Sequence, residues 1–90
     1  PEATEMAEMG FIPAGAYRNR EYAGANVRAA GDVSRAMQDI LYDPQTSGGL
    51  LFALPAEEAD TCLAQLKQII PNAARIGYVT ETEDSCIILE

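Results

Sequence analysis

The chain has 90 residues, with 14 acidic and 6 basic side chains, no histidine and a formal charge of −8. That length allows one small domain with a modest core, since a domain of this size buries about 60 to 65 % of the surface its unfolded chain exposes. The negative balance argues against a nucleic-acid-binding face and against anionic membrane surfaces. No apolar run approaches a membrane span, and no charged leader precedes an apolar segment, so a cytoplasmic setting is expected.

In chain order, residues 3–9 are good helix formers that place Met6 and Met9 on one side, with Gly10 as the stop. Residues 11–31 carry Pro13, Gly15, Gly24 and Gly31 without a sustained period. They read as an irregular connection with one helical turn near 19–23, either functional or packed against a neighbour outside the chain. Asp32 or Ser34 can cap a short helix running to about Leu41, with Val33, Ala36, Met37, Ile40 and Leu41 at helical spacing and Pro44 as its end.

The next stretch organises the rest. Asp43-Pro44-Gln45-Thr46-Ser47-Gly48-Gly49 is a polar corner directly in front of an apolar run, so residues 49–54 read as a buried strand entered through a tightly specified loop. Gly48 and Gly49 can take positive φ or admit a close neighbour. Pro55 then begins the clearest helix. Ala59, Cys62, Leu63, Leu66, Ile69 and Ile70 form its apolar stripe, and the acids in its first turns together with Lys67 near its end suit the helix dipole. Pro71 and Asn72 end it. Residues 74–80 alternate as a half-buried strand, and residues 86–89 are expected to complete a final hairpin. The pattern predicts an α+β fold over residues 1–90, a small mixed or antiparallel sheet covered by helices on one face.

The chemistry has gaps as well as candidates. Without histidine neither a Ser-His-Asp nor a Cys-His arrangement can be built. Cys62 and Cys86 have no partners for a zinc site and read as small buried apolar residues. Thr46, Ser47, Gly48 and Gly49 can offer hydroxyl and backbone donors to a phosphate, or can satisfy their own turn. Arg18 and Arg20 flank Asn19; on an extended segment both guanidiniums would aim the same way and grip phosphate oxygens, the alternative being ion pairs with the many acids. Four of the six basic residues, Arg18, Arg20, Arg28 and Arg35, fall within eighteen positions that hold only Glu21 and Asp32 as acids, a locally positive segment suited to an anion. Asp43 can ligate magnesium but more often such a residue caps its own turn, so no metal site is assigned.

The string from Asp43 to Leu51, Asp-Pro-Gln-Thr-Ser-Gly-Gly-Leu-Leu, resembles a signature near the C-terminus of the selenophosphate synthetases (selenide, water dikinases). Upstream, Gly10-Phe11-Ile12-Pro13-Ala14-Gly15-Ala16-Tyr17-Arg18-Asn19-Arg20 resembles a Pro-, Gly- and Arg-Asn-containing segment of the same family, and Ile76-Gly77-Tyr78-Val79 its closing strand. The resemblance implies part of the C-terminal domain of the aminoimidazole ribonucleotide synthetase-like superfamily, with an N-terminal catalytic domain lying elsewhere. Beginning at Pro1 without an initiator Met, the chain reads as a piece of such an enzyme. The intact enzyme is expected to make selenophosphate from selenide and ATP, with magnesium, releasing AMP and phosphate, and to act as a homodimer. This segment is expected to help cover the ATP site through Thr46, Ser47, Gly48, Gly49, Arg18 and Arg20, to carry no catalytic residue, and to bind no cofactor alone. Other members of the superfamily, or an acidic α+β interaction module of a different class, are the competing readings.

Overall fold

The computed structural model describes residues 2–90. Its first helix, α1 (Glu2–Glu8), follows from the run of helix formers. Gly10 closes it with a φ of 84°, a left-handed conformation that glycine adopts without steric cost. The Gly10 N–H donates to the Ala7 carbonyl at 3.0 Å and the Phe11 N–H to the Met6 carbonyl at 3.0 Å, the paired bonds of a glycine-terminated helix end.

The supposedly irregular stretch that follows is mostly regular. Pro13, extended at φ −64° and ψ 146°, leads into α2 (Ala14–Ala23), a 3-10 turn covers Gly24–Asn26, and β1 (Val27–Ala29) follows at once. The expectation of a single helical turn near 19–23 is corrected accordingly: one glycine inside ten residues that include three Ala, two Arg and one Glu does not outweigh their helix propensity. Next comes α3 (Arg35–Leu41), where Ser34 is the cap, its Oγ accepting from the Met37 N–H at 3.1 Å. The fourth helix, α4 (Ala56–Ile69), begins after Pro55, and β2 (Ile87–Leu89) lies near the end of the chain.

The fold is α+β, but its sheet differs from expectation. β1 and β2 pair in parallel, Val27 opposite Ile87, Arg28 opposite Ile88 and Ala29 opposite Leu89, and the Ala30 N–H extends the ladder to the Leu89 carbonyl at 2.8 Å. Residues 86–89 therefore find their partner some sixty positions upstream instead of in a hairpin with residues 74–80. Residues 49–54 and 74–80 are not strands: they join no ladder among the described residues, and Leu51 (78 % exposed) and Val79 (87 % exposed) stand in solvent. A strand needs a paired backbone as well as an apolar pattern, and neither segment has one. Within the unit that holds the sheet, α1 and α2 each pack on α3, so these helices pack on one another and not as a cover over one face of it.

The chain falls into two compact units. One consists of the chain up to Gly48 together with Thr82–Glu90; the other is Gly49–Glu81. In the first, the buried apolar residues are alanines, Ala7, Ala16 and Ala36, one from each of α1, α2 and α3, so short side chains let the helices approach closely. Beside them lies one buried charge, Asp39. In the second unit α4 half-buries Ala59, Cys62, Leu63 and Leu66, four members of the predicted stripe, while Ile69 and Ile70 are exposed. Arg75 ties the following segment back to the helix, its Nη1 lying 3.3 Å from Asp60 and its guanidinium 5.3 Å from the Tyr78 ring centre. Of the two thiols, Cys62 is half-buried and Cys86 exposed, so the reading of both as buried holds in neither case in full.

Candidate functional site

The corner that the sequence singles out is built on the C-terminal end of α3. Tyr42 closes that helix, its N–H donating to the Gln38 carbonyl at 3.2 Å, and Asp43 donates to the Ile40 carbonyl at 3.1 Å. The chain then reverses around Pro44, with the Gln45 N–H reaching the Asp43 carbonyl at 2.9 Å. It turns again over Thr46 and Ser47, with the Gly48 N–H donating to the Gln45 carbonyl at 3.3 Å. Both central residues of that second turn are exposed. The Thr46 hydroxyl lies 3.5 Å from the Pro44 carbonyl, at the edge of hydrogen bonding, so it is only lightly engaged. The backbone N–H groups of Thr46, Ser47 and Gly49 have no hydrogen-bond partner among the described residues.

Of the two uses expected of these glycines, positive φ or a close neighbour, Gly48 shows the second and neither shows the first. Gly48 is there for space: a Cβ on it would stand 2.9 Å from the Gln45 Cβ and 3.3 Å from the Gln45 carbonyl oxygen, so the turn closes only without a side chain at that position. Gly49, the first residue of the second unit, has open space around it.

The Arg-Asn-Arg segment lies on α2, and this changes the geometry of its charges. Residues two apart on a helix point about 200° apart, so Arg18 and Arg20 cannot aim the same way as they would on an extended chain. Arg18 is exposed. Arg20 turns toward α3: its guanidinium pairs with Asp39, reaches the Gln38 Oε1 at 3.5 Å and lies over the Tyr42 ring at 4.8 Å from the centre. Gln38 is itself held, its Nε2 donating to the Val33 carbonyl at 3.1 Å. Asp39 also pairs with Arg35 one turn earlier on α3, at 3.2 Å. Two guanidiniums thus share one buried carboxylate, which leaves positive charge in excess behind the corner. Asp39 was not among the residues singled out from the sequence; its position four residues after Arg35 was the one local signal for it.

A groove of about 300 Å³ opens alongside. Met6, Phe11, Ile12 and Ile40 are among its apolar lining, and Asp39 of α3 with Asp43 and Gln45 of the corner are its polar lining. Apolar walls with a few polar groups are the usual make-up of a small-molecule site. Among the described residues, no group of three or more carboxylates or thiols is placed to hold a cation.

No protein-family model matches the chain, and no solved structure matches it. Curated relatives do. Over 91 residues, covering all of this chain, it is 48 % identical to the selenide, water dikinase of Pelobacter propionicus, and those residues make up 26 % of that protein. It is 46 % identical over 89 residues to selenide, water dikinase 2 of Peptoclostridium acidaminophilum, with 98 % of the chain and 25 % of the relative covered. A third relative, the selenide, water dikinase of Clostridium botulinum strain Eklund 17B, is 39 % identical over 88 residues, with 98 % of the chain and 26 % of the relative covered.

All three relatives are dikinases by name. The chain belongs to the selenide, water dikinase family. It spans about a quarter of the length of the relatives it matches, and so corresponds to one part of such an enzyme. No helix among the described residues is long and apolar enough to cross a membrane.

Proposed function

We infer that this chain is part of the C-terminal domain of a selenide, water dikinase of the aminoimidazole ribonucleotide synthetase-like superfamily. The intact enzyme makes selenophosphate from selenide, ATP and water and releases AMP and phosphate. The observation that carries this reading is the 48 % identity to a selenide, water dikinase along the whole chain. In the proposal the remainder of the enzyme supplies the N-terminal catalytic domain, the magnesium ligands and the contacts of a cytoplasmic homodimer.

What this segment contributes is a donor surface beside the nucleotide phosphates. The exposed Thr46 and Ser47 hydroxyls and the unpartnered N–H groups of Thr46, Ser47 and Gly49 donate to phosphate oxygens. The exposed Arg18 adds charge from α2. Arg20, whose guanidinium Asp39 already engages, acts from behind the corner through the excess positive charge of its network. The segment holds no nucleophile or base for the reaction and binds ATP weakly or not at all by itself.

The test is made in the intact enzyme. Loss of one charge-assisted donor is worth roughly 1.5 kcal/mol, so Ser47→Ala and Arg18→Ala should each raise the KM for ATP about tenfold. Unchanged ATP affinity and turnover in both variants would overturn the reading.

A further inference from the structure

We propose that Gly15, Asn19 and Arg20 are positioning residues, a latch on α2 that sets where the Thr46 and Ser47 donors stand; the proposal rests on the reading of that corner as nucleotide-facing. The corner's own bonds are few and local, Gln45 to Asp43 and Gly48 to Gln45, and they fix its internal shape without fixing its place. Its place comes from α2, at three points.

Gly15 meets Pro44: a Cβ on Gly15 would stand 2.8 Å from the Pro44 Cγ, so α2 reaches its present distance only because position 15 has no side chain. The Pro44 ring cannot swing aside as the end of a long side chain would, and it carries the corner with it. One turn later, Asn19 Nδ2 donates to the Tyr42 carbonyl at 2.8 Å. That carbonyl lies at the end of α3, where the helix offers no N–H of its own, and Asn19 supplies the missing donor. Arg20 then holds the Tyr42 ring and, through Asp39, the last turns of α3. The three contacts fall on Tyr42 and Pro44, on either side of Asp43, just before the donor residues. Displacing a binding group by about 1 Å can cost on the order of a hundredfold in rate, so a shift of this latch is felt at the phosphates without any contact to them.

The latch predicts a specific kinetic signature in the intact enzyme. Gly15→Ala and Asn19→Ala should each raise the KM for ATP five- to tenfold, with the KM for selenide changing less than twofold. Because both act through the corner, adding Ser47→Ala to either should give little further rise, whereas independent effects would multiply. If Ser47→Ala alone raises the KM for ATP while Gly15→Ala and Asn19→Ala leave it within twofold, the latch is wrong and the corner reading stands. If Ser47→Ala itself changes nothing, the corner reading fails and takes the latch with it. Multiplying effects in the double variants would also overturn the latch, by showing that Asn19 and Gly15 act elsewhere.

Discussion

Residues 43–48 and residues 49–54 are consecutive in one string of the sequence and end in opposite conditions. The first six form a reversed, hydrogen-bonded corner tied to α2 and α3, whereas the next six are irregular, exposed and outside any ladder among the described residues. The difference lies in how far each must reach for its partners. A turn closes on atoms two or three residues away, and its remaining needs are met by helices already packed together. A strand has its hydrogen-bonding groups aimed sideways and an apolar face to bury, so it needs a second backbone and an opposing layer. Leu50, Leu51, Phe52, Ala53 and Leu54 in a row supply neither. β2 shows the contrast in the same chain: Ile87–Leu89 is no more apolar than residues 50–54, but it has Val27–Ala29 beside it and becomes a strand.

The sharpest way to break this comparison is to remove what holds the corner's support rigid. Asp39 is buried and faces two guanidiniums, one of them on Arg20, whose side chain is only 21 % exposed. Asp39→Ala leaves Arg20 without its partner in a mostly closed environment, a loss on the order of 3 kcal/mol, discounted from the upper range because some solvent reaches the guanidinium. Urea denaturation of the chain followed by circular dichroism measures it. A loss under about 1 kcal/mol would mean that the helices hold α3 in place without this network and that the corner does not depend on it.

A smaller effect sharpens the same point at the other end of α3. Ser34 accepts from the Met37 N–H, one of the orphan donors of the first turn. Ser34→Ala should cost about 1 kcal/mol, and Ser34→Asp should largely restore it because aspartate caps as well as serine does. A null result in the same urea experiment would show that packing of Ala36 alone sets where the helix starts. Surface pairs such as Arg28 with Glu83, 3.0 Å apart with both side chains more than half exposed, are no substitute for such contacts, since exposed ion pairs contribute little.

Much of the molecule was legible in the sequence, and the division follows the reach of each interaction. α4 and its half-buried stripe, α3 with its Ser34 cap and α1 with its glycine stop depend on residues within a few positions of one another, and periodicity and capping chemistry read them. α2 was missed although Pro13 stands at its entry and helix formers fill it, because Gly15 reads locally as a breaker. Its purpose is visible only when Pro44 lies against it. The same distance hid the latch, since Asn19 and Tyr42 are 23 residues apart and Arg20 and Asp39 are 19 apart. Arg18 and Arg20 were rightly noticed as charges, but which way each points depends on the period of the element beneath them, and a helix separates what a strand would align. The parallel pairing of β1 with β2 leaves no local trace at all.

The smallest expected effect tests the other side of the comparison. Leu51 lies in the exposed run and is 78 % accessible, so replacing it removes almost no buried apolar surface within the chain. At roughly 25 cal/mol per Å² of apolar area withdrawn from water, Leu51→Thr should change the stability of the chain by less than about 0.5 kcal/mol. Threonine is compatible with non-helical backbone and lowers the hydrophobicity of the segment, so the same substitution should raise the solubility of the chain. A loss of 2 kcal/mol or more in urea denaturation would instead show that residues 49–54 are packed in solution. The contrast with residues 43–48 would then disappear, because both halves of the string would owe their shape to partners within the chain.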